Sequence, residues 1–426
     1  MNSRISRSLL VALLALGTAS EASAAWKIRT PRAATRVAQH SRAKERSIEA
    51  TQVVILMADD IGFADIREIP TPNIDALAAR GVSYTRTYSM PACTATRSTI
   101  FFGKYLSRHY TSACHTTSNS DIEAPTFDSE LVSIAELFPG ERGFVGKWHL
   151  GKPWKTAAGL HGYDSWCAQS TASPRHCGPG RNYFRWSRVD NGVSTLDETY
   201  MTTAQVNEAI LWLSTPHPRG SFLNVNFNSA HEPFHDPPGF VTDGELRSMF
   251  EAMVVSVDDA VGKIMAAVDL SKTLVIFTSD NGTPDVVAPV QGKAKQSTFE
   301  RGVRVPLILV GPDIPSNVSL DRLTHMVDLY ATFERLAGVP VTGDGVPLQD
   351  PTGHDLIYLG HRRPTLNDQA VFDGRYKLRR FLDSAGNGFQ FQLYDLAQDP
   401  YEDNPHGPSH PQWDRMMSLL LARVQG

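Results

Sequence analysis

The chain has 426 residues, and 45 acidic residues slightly outnumber 41 lysines and arginines, which gives a formal net charge of −4. This balance, with no long basic run, disfavours nucleic acid as a partner. No apolar stretch is long enough to predict a membrane span. The composition is typical of a soluble globular protein, and the length suffices for one large domain and one small one.

The N-terminus has the pattern of an export signal. Two arginines precede an apolar stretch at residues 9–16, and small residues suited to cleavage end at Ala24. This predicts a signal peptide over residues 1–24 and a periplasmic or secreted protein. Residues 25–50 lack a core-forming pattern, which predicts a flexible lead-in.

Two acidic residues follow the first strongly apolar run. Residues 53–58 are apolar throughout and precede Asp59 and Asp60. The run predicts a buried parallel strand, and paired carboxylates at its carboxyl end favour a hard cation such as calcium or magnesium. An Asp-Asp pair alone more often opens a loop or caps a helix. Residues 71–82 then predict a helix, with Pro near its start and Gly81 after its end.

A cysteine stands four residues before an arginine in the next segment. Cys93 and Arg97 lie within residues 90–103, which become apolar and end in Gly103. Taken alone, this spacing would more often indicate a buried cysteine beside a surface arginine. Its meaning depends on the segments that follow.

Basic residues follow at two further strand ends. Lys147 and His149 stand two residues apart, so that both side chains face one anion if the segment is extended. After the apolar residues 222–225, His231 begins a His-x-Pro element, with His235 nearby as a competing candidate. Alone, each would more often be a surface or loop residue.

A second apolar run ends in oxygen-bearing side chains. Residues 273–279 precede Asp280 and Asn281. An Asp-Asn-Gly sequence otherwise indicates a hairpin turn, but the run before it is continuously apolar rather than alternating, which favours a buried strand. Together with Asp59 and Asp60, these residues would supply four oxygen-bearing side chains from two strand ends.

In this order, the segments from about residue 52 to 306 resemble the sulfatase family, of the arylsulfatase-like, formylglycine-dependent type. The cysteine segment is similar to the family pattern Cys-x-Pro-x-Arg, with Ala95 in the place of the proline. Residues 292–306 resemble a further family element in which the active-site lysine lies five residues before a glutamate. That spacing selects Lys295 over Lys293, while Arg301 stands where the family usually has glycine.

The resemblance implies hydrolysis of sulfate esters to an alcohol or phenol and inorganic sulfate. In the family, a maturation enzyme oxidises the cysteine, here Cys93, to formylglycine, whose metal-bound hydrate attacks sulfur and passes through a covalent sulfated intermediate. The implied cation is calcium, with magnesium as the alternative. The implied metal ligands are Asp59, Asp60, Cys93, Asp280 and Asn281.

The resemblance also implies a role for each remaining site residue. Lys147, Lys295 and His231 would hold the sulfuryl oxygens, and His231 or Lys295 would protonate the leaving group. Asp280 would be the base and His149 would accept the proton of the second hydroxyl. Arg97 would orient the hydrate. The substrate would be a small-molecule or carbohydrate sulfate ester, with no preference among aryl, sugar and alkyl esters.

Three other functions remain open from the residues. A phosphonate or phosphate ester hydrolase would use the same scaffold, because its substrate is also a tetrahedral oxyanion. An unconverted Cys93 would leave an inactive metal- and anion-binding protein, which Ala95 supports. A thiol enzyme using Cys93 and a histidine would not need the two acidic pairs.

The predicted fold is α/β, with a mainly parallel sheet sandwiched by helices, as in alkaline phosphatase. The catalytic domain is predicted at 51–345 and a small α+β subdomain at 346–426. The predicted elements are strands near 52–58, 144–147, 222–227, 274–278 and 305–310, helices near 199–213 and 245–268, two antiparallel strands near 374–381 and 389–396, and a final helix near 413–424.

Four cysteines bear on the compartment. Cys167 and Cys177 stand in a stretch rich in Gly, Ser and Pro, where an exported chain can close a short disulfide. If Cys93 is modified, Cys114 is left unpaired, and a bridge between these two would be the structural rival of the catalytic interpretation.

Overall fold

A computed structural model describes residues 52–105, 131–150, 157–169, 182–362, 367–383 and 388–424. The predicted signal peptide and lead-in lie outside these residues, as do Cys114 and Cys177. The domain boundaries therefore stay predictions.

The main sheet runs through the body of the molecule. Its strands are β1 Gln52–Ala58, β2 Val82–Tyr88, β3 Glu141–Lys147, β4 Ser165–Gln169, β5 Trp186–Asp190, β6 Val193–Asp197, β7 Ser221–Asn226, β8 Thr273–Ser279, β9 Arg304–Val305, β10 Leu307–Val310 and β11 Val318–His325. The order across the sheet is β11-β2-β10-β8-β1-β7-β3-β4-β5-β6, with β9 paired to β2. The four central neighbours β8, β1, β7 and β3 are parallel.

The structure describes ten α-helices, among them those that cover both faces of this sheet. They are α1 Asp65–Glu68, α2 Pro72–Ala79, α3 Cys93–Phe102, α4 Ile134–Leu137, α5 Ala157–Leu160, α6 Met201–Ser214, α7 Leu246–Met265, α8 Glu300–Val303, α9 Asp328–Leu336 and α10 Trp413–Val424. Among the described residues, no helix is long and apolar enough to cross a membrane.

Strand β1 shows how the two layers form. Its side chains alternate between two cores, with Val53, Ile55 and Met57 in one and Val54 and Leu56 in the other. Because successive side chains of a strand point to opposite faces, a strand that is apolar throughout must be covered on both sides. The predicted α/β class with helices on both faces is therefore confirmed.

A second, antiparallel sheet forms the C-terminal subdomain. Its strands follow one another in the order β12 Ile357–Arg362, β13 Asn367–Phe372, β14 Tyr376–Leu382 and β15 Phe389–Asp395. Helix α10 packs beside this sheet, and its apolar residues Met416 and Leu420 are fully buried. The two predicted C-terminal strands and the final helix match this arrangement.

Two predictions about local structure were wrong. The strand expected at 305–310 is divided at Pro306 into β9 and β10, and β10 is antiparallel to both of its neighbours, β2 and β8. Proline has no amide hydrogen for the ladder, which explains the division. Cys167 lies within β4 rather than in a loop, and its thiol is buried and free, while Cys177 lies outside the described residues.

Candidate active site

The candidate site lies at the carboxyl ends of the central parallel strands. Asp59 and Asp60 follow β1, Asp280 and Asn281 follow β8, and Lys147 ends β3. Since β8, β1, β7 and β3 are neighbours and parallel, their carboxyl ends meet at one edge of the sheet. Sequence positions separated by more than 200 residues are thereby in contact, as when the Asp60 amide donates to Asp280 Oδ1 at 3.2 Å.

Three carboxylates at this edge are fully buried and are matched by three cations. Lys147 Nζ pairs with Asp59. Lys295 Nζ lies 2.6 Å and 2.8 Å from the two carboxylate oxygens of Asp60. Arg97 donates from Nε to Asp280 at 2.9 Å and lies 3.5 Å from Asp59. We call these six residues the strand-end cluster.

The carboxylates of this cluster differ in their proton affinity. Burial and the nearby Asp280 carboxylate raise the pKa of Asp59 well above its ordinary value. Burial by itself would also raise the pKa of Asp60. The charges of Lys295, His231 and Lys147, in that order, outweigh burial and hold the pKa of Asp60 below its ordinary value. The cluster therefore contains one carboxylate that is strained by its like-charged neighbours and one that is well paired.

The donor set fits a hard divalent cation. Asp59 Oδ1 and Asn281 Oδ1 are buried and accept no hydrogen bond from any described residue. Ligand atoms of Asp59, Asp60 and His231 all lie within 4.8 Å of one another. Buried oxygens without donors, beside carboxylates that repel each other, are what a calcium or magnesium ion compensates.

Positive φ angles in the backbone orient Asp60 and Lys147. Asp60 has φ 65°, in the left-handed region that residues with a side chain rarely adopt. At the end of β3, Gly146 has φ 99°, and an added Cβ would lie 1.9 Å from the carbonyl oxygen of Asn226. A glycine is therefore required where β3 turns to present Lys147.

Cys93 is the first residue of α3 and contacts His149. Its Sγ lies 3.3 Å from His149 Nδ1, and the hydroxyl of Thr94 lies 3.1 Å from the same nitrogen. All ten residues of α3 are buried, and Cys93 is 6% exposed. Arg97, one turn further along, fixes the helix by donating to the carbonyl oxygen of Lys147 at 2.8 Å.

The Lys-x-His segment is not extended, which was the condition for Lys147 and His149 to share one face. Strand β3 ends at Lys147, and His149 has φ 52°, so the two side chains diverge. Lys147 reaches Asp59 while His149 reaches Cys93. Burial, together with the charges of Lys147 and Arg97, holds the pKa of His149 well below its ordinary value, so the imidazole is neutral at neutral pH.

The structure separates the paired candidates for histidine and lysine. His231 Nε2 lies 4.0 Å from Asp60, whereas His235 contacts the hydroxyl of Tyr200 at 3.2 Å, outside the strand-end cluster. Lys295 pairs with Asp60, whereas Lys293 pairs with Asp403 at 2.6 Å. His231 and Lys295, which the sequence favoured, are therefore the residues that lie beside Asp60 at the strand ends.

The segment that carries Lys295 is anchored to the C-terminal subdomain. Asp368 of β13 accepts hydrogen bonds from the Thr298 amide at 3.1 Å and hydroxyl at 2.7 Å. Lys377 of β14 lies 2.7 Å from Glu300 and 3.0 Å from Glu402. Arg301, in the place of a family glycine, points to Glu68 and Asp65 on α1. Residues 298–301 are thus held on one side by the C-terminal subdomain and on the other by α1.

Sequence reasoning missed several residues that support the site. Thr94 contacts both ring nitrogens of His149, and Asn226 donates to the Lys147 carbonyl at 3.2 Å. Lys377 and Asp368 act from another subdomain. The position of Thr94 beside Cys93 was a usable signal, but nothing in the local sequence of the other three points to the site.

The chain matches known proteins over most of its length. The sulfatase family model matches residues 51–339. N-acetylgalactosamine-6-sulfatase of Rattus norvegicus is 30% identical over 69% of this chain and 63% of its own length, so the chain spans less than two thirds of that relative. N-acetylgalactosamine-6-O-sulfatase of Bacteroides thetaiotaomicron is 23% identical over 88% of this chain and 93% of its own. The crystal structure of Ps i-CgsB superposes with a TM-score of 0.72 at 25% identity, covering 87% of this chain and 92% of that one.

Proposed function

This chain belongs to the sulfatase family, and from that premise we propose that it hydrolyses sulfate esters to an alcohol or phenol and inorganic sulfate. The observation that carries the proposal is the meeting of Cys93 and His149 with the strand-end cluster in one buried site. Burial of charged groups has an unfavourable desolvation free energy, and clusters of buried charges are frequent at sites where the charges act on a substrate.

Cys93 is the proposed site of the nucleophile. Conversion of this residue to formylglycine would supply an aldehyde hydrate, so the Sγ atom marks the position of a reacting oxygen. His149 Nδ1, 3.3 Å from Sγ, is positioned to accept a proton from a hydroxyl there. Thr94 orients the imidazole ring by contacting it from the adjacent helix position. The proposed requirement for a maturation enzyme follows from the same residue.

The proposed metal ligands are Asp59, Asp60, Asp280 and Asn281, together with residue 93. A calcium ion bound there would lower the pKa of a hydroxyl and screen the charge of the sulfate. Asp59 Oδ1 and Asn281 Oδ1, which have no donor among the described residues, support this assignment.

The cationic side chains would then bind the sulfate group. Lys147 and Lys295 now neutralise Asp59 and Asp60. When a divalent cation shares those carboxylates, the site gains net positive charge and both ammonium groups can face an anion. His231, 4.0 Å from Asp60, would complete the set that holds the sulfuryl oxygens, and either His231 or Lys295 would protonate the leaving group. Asp280, paired with Arg97, is the proposed base.

We further propose that the ester is a carbohydrate sulfate and that the protein is exported. The names of the rat and Bacteroides thetaiotaomicron relatives refer to sulfated N-acetylgalactosamine. The pattern of residues 1–24 supports export.

The first test is the chemical state of residue 93. Protein from a host that makes formylglycine is digested, and the mass of the peptide with Cys93 is measured, with sulfate release assayed on the same sample. We expect an aldehyde, and we expect Cys93→Ala to lower kcat by at least about 10³-fold with unchanged thermal unfolding, because no nucleophile remains.

Cys167→Ala is the matched control, because Cys167 is the other described buried thiol and lies in β4, away from the strand ends. It should leave kcat unchanged. Turnover retained by Cys93→Ala would rule out the covalent mechanism. An aldehyde at residue 93 with release of phosphate but not of sulfate would replace the sulfatase assignment by that of a phosphoester hydrolase.

A further inference from the structure

A cavity of about 350 Å³ lies between the segment after β8 and the C-terminal sheet. Its lining includes Asp285, Lys295 and Gln296 on one side and Arg379 and Phe381 of β14 on the other. Its volume is in the range of pockets that bind small organic ligands. The cavity is thus large enough for more than the sulfate group itself.

This cavity borders the candidate active site. Lys295, which lines it, has its ammonium group on Asp60. The next residue, Gln296, donates its amide to the carbonyl oxygen of Pro91 at 2.8 Å, two residues before Cys93. Gln296 also has φ 74°, a conformation that residues with a side chain adopt only where their surroundings enforce it. Lys295 and Gln296 therefore contact both the candidate active site and this cavity.

On the wall formed by β14, the charge of Arg379 is already matched. Arg379 pairs with Asp368, which is fixed in turn by the amide and hydroxyl of Thr298. The Arg379 guanidinium lies 3.8 Å from the ring centroid of Phe299 and 4.7 Å from that of Phe381. Its charge is therefore held by a carboxylate and two rings, and is not available to recruit a second anion of a substrate.

Asp285 carries the unmatched charge of the cavity. Its Oδ1 accepts a hydrogen bond from the Gly292 amide at 2.7 Å. In the part of the chain that the structure describes, Asp285 forms no ion pair, and the nearby Lys293 is held by Asp403. An acidic group with spare acceptor capacity attracts hydroxyl donors and repels a second anionic group.

We propose that this cavity binds the alcohol part of the ester and selects a neutral, hydroxyl-bearing sugar ring that carries a single sulfate. The proposal rests on the sulfatase function proposed above. Asp285 and Gln296 would bind ring hydroxyls, and Phe381 would contact the apolar face of the ring. A second sulfate or a carboxylate on the same ring would lie close to Asp285 and would weaken binding.

Binding to the unreactive protein tests this selection. Isothermal titration calorimetry of full-length Cys93→Ala protein, with calcium present, would compare N-acetylgalactosamine 6-sulfate with N-acetylgalactosamine 4,6-disulfate. We expect the monosulfate to bind at least about fivefold more tightly, as one like-charge contact near the surface predicts. Adding Asp285→Asn should reduce that ratio to about twofold or less, mainly by tightening binding of the disulfate.

Two further variants keep the interpretation specific. Phe381→Ala should weaken binding of both sugars by about fivefold, because the apolar contact is lost. Asp269→Asn is the matched control: Asp269 also accepts a backbone amide, that of Ser271, but it lies before the opposite end of β8. It should change neither affinity nor the ratio.

The outcomes separate this inference from the proposed function. Tighter binding of the disulfate, a ratio that Asp285→Asn leaves unchanged, or failure of both sugars to bind overturns the selection of a neutral ring. Cleavage of 4-nitrophenyl sulfate by the matured wild type would at the same time keep the sulfatase function. If protein with the aldehyde at residue 93 releases sulfate from neither aryl nor sugar esters, the proposed function itself fails.

Discussion

Two buried charge clusters of this molecule contain the same kinds of side chain and differ in how completely they are satisfied. The junction cluster, formed by Glu300, Lys377 and Glu402, joins the active-site segment to the C-terminal sheet. Lys377 pairs with Glu300 at 2.7 Å and with Glu402 Oε1 at 3.0 Å, the Tyr88 hydroxyl donates to Glu300 at 3.0 Å, and the Glu300 amide donates to the other oxygen of Glu402 at 2.6 Å. Glu402 Oε1 accepts no hydrogen bond from the described residues, but the Lys377 ammonium lies beside it.

The strand-end cluster is left open by comparison. Asp59 Oδ1 and the neighbouring Asn281 Oδ1 have no donor among the described residues, and Asp280 raises the pKa of Asp59 in addition to the effect of burial. A buried polar group without a partner destabilises the fold, and two such oxygens beside carboxylates that repel each other indicate a place where a cation can supply the partner. The difference distinguishes charges that hold the fold from charges that are arranged for binding.

The largest effect on stability is expected for Lys377→Met in the junction cluster. Lys377 is completely buried, and its removal leaves Glu402 without its cation and leaves Glu300 with Arg304 at 3.6 Å. We expect a loss of about 3–5 kcal/mol in the free energy of unfolding, measured by urea denaturation. Arg375→Met is the control, because Arg375 pairs with Asp395 at 2.8 Å but is about half exposed, and its loss should be much smaller than that of Lys377→Met. Equal losses would contradict the structural role of the junction cluster.

A smaller effect should appear when calcium is added. At about a hundredfold excess over its Kd, calcium should raise the free energy of unfolding of the wild type by about 2.7 kcal/mol, because it binds the folded state. Asp280→Asn should abolish most of this increment. Glu402→Gln, which removes a carboxylate from the junction cluster, should lower the starting stability and keep the increment. A calcium response that survives Asp280→Asn but not Glu402→Gln would reverse the assignment of the two clusters.

The smallest predicted effect concerns the link between the active-site segment and β13. Thr298→Val keeps the shape of the side chain but removes its hydrogen bond to Asp368. We expect a loss of about 2 kcal/mol in the free energy of unfolding, because the Thr298 amide and Arg379 both bind Asp368 Oδ2 and the hydroxyl is the donor to the buried Oδ1. Thr85→Val, at a partly exposed hydroxyl on β2, should cost less than about 0.5 kcal/mol. A Thr298→Val variant as stable as wild type would show that the link carries no stability.

Sequence reasoning reached the fold class because its signals are local. The apolar run of β1, the Pro-to-Gly frame of α2 and the amphipathic pattern of α10 each lie within one short window. Strands such as β5 and β6 were missed, because Val193–Asp197 is largely exposed and has no apolar run to detect. The direction of β10 was also missed, since direction depends on which neighbours a strand finds and not on its own residues.

The same distinction holds within the site. Asp59, Asp60, Asp280 and Asn281 were predictable because they directly follow apolar strands, and the ends of parallel strands meet. Lys377 was not, since a single lysine in an alternating strand usually indicates a solvent-facing position. Its burial depends on contacts with Thr298 and Glu300, about 80 residues away in the chain.

The position of β1 in the sheet determines when, during synthesis, this strand can acquire its neighbours. Both neighbours of β1 are made much later, since β7 begins at Ser221 and β8 at Thr273. During synthesis, the acids after β1 and the cysteine at the start of α3 must therefore wait without the strands that will enclose them. A residue that the finished molecule buries is for that interval within reach of another protein, and the interval closes when the chain has passed β8.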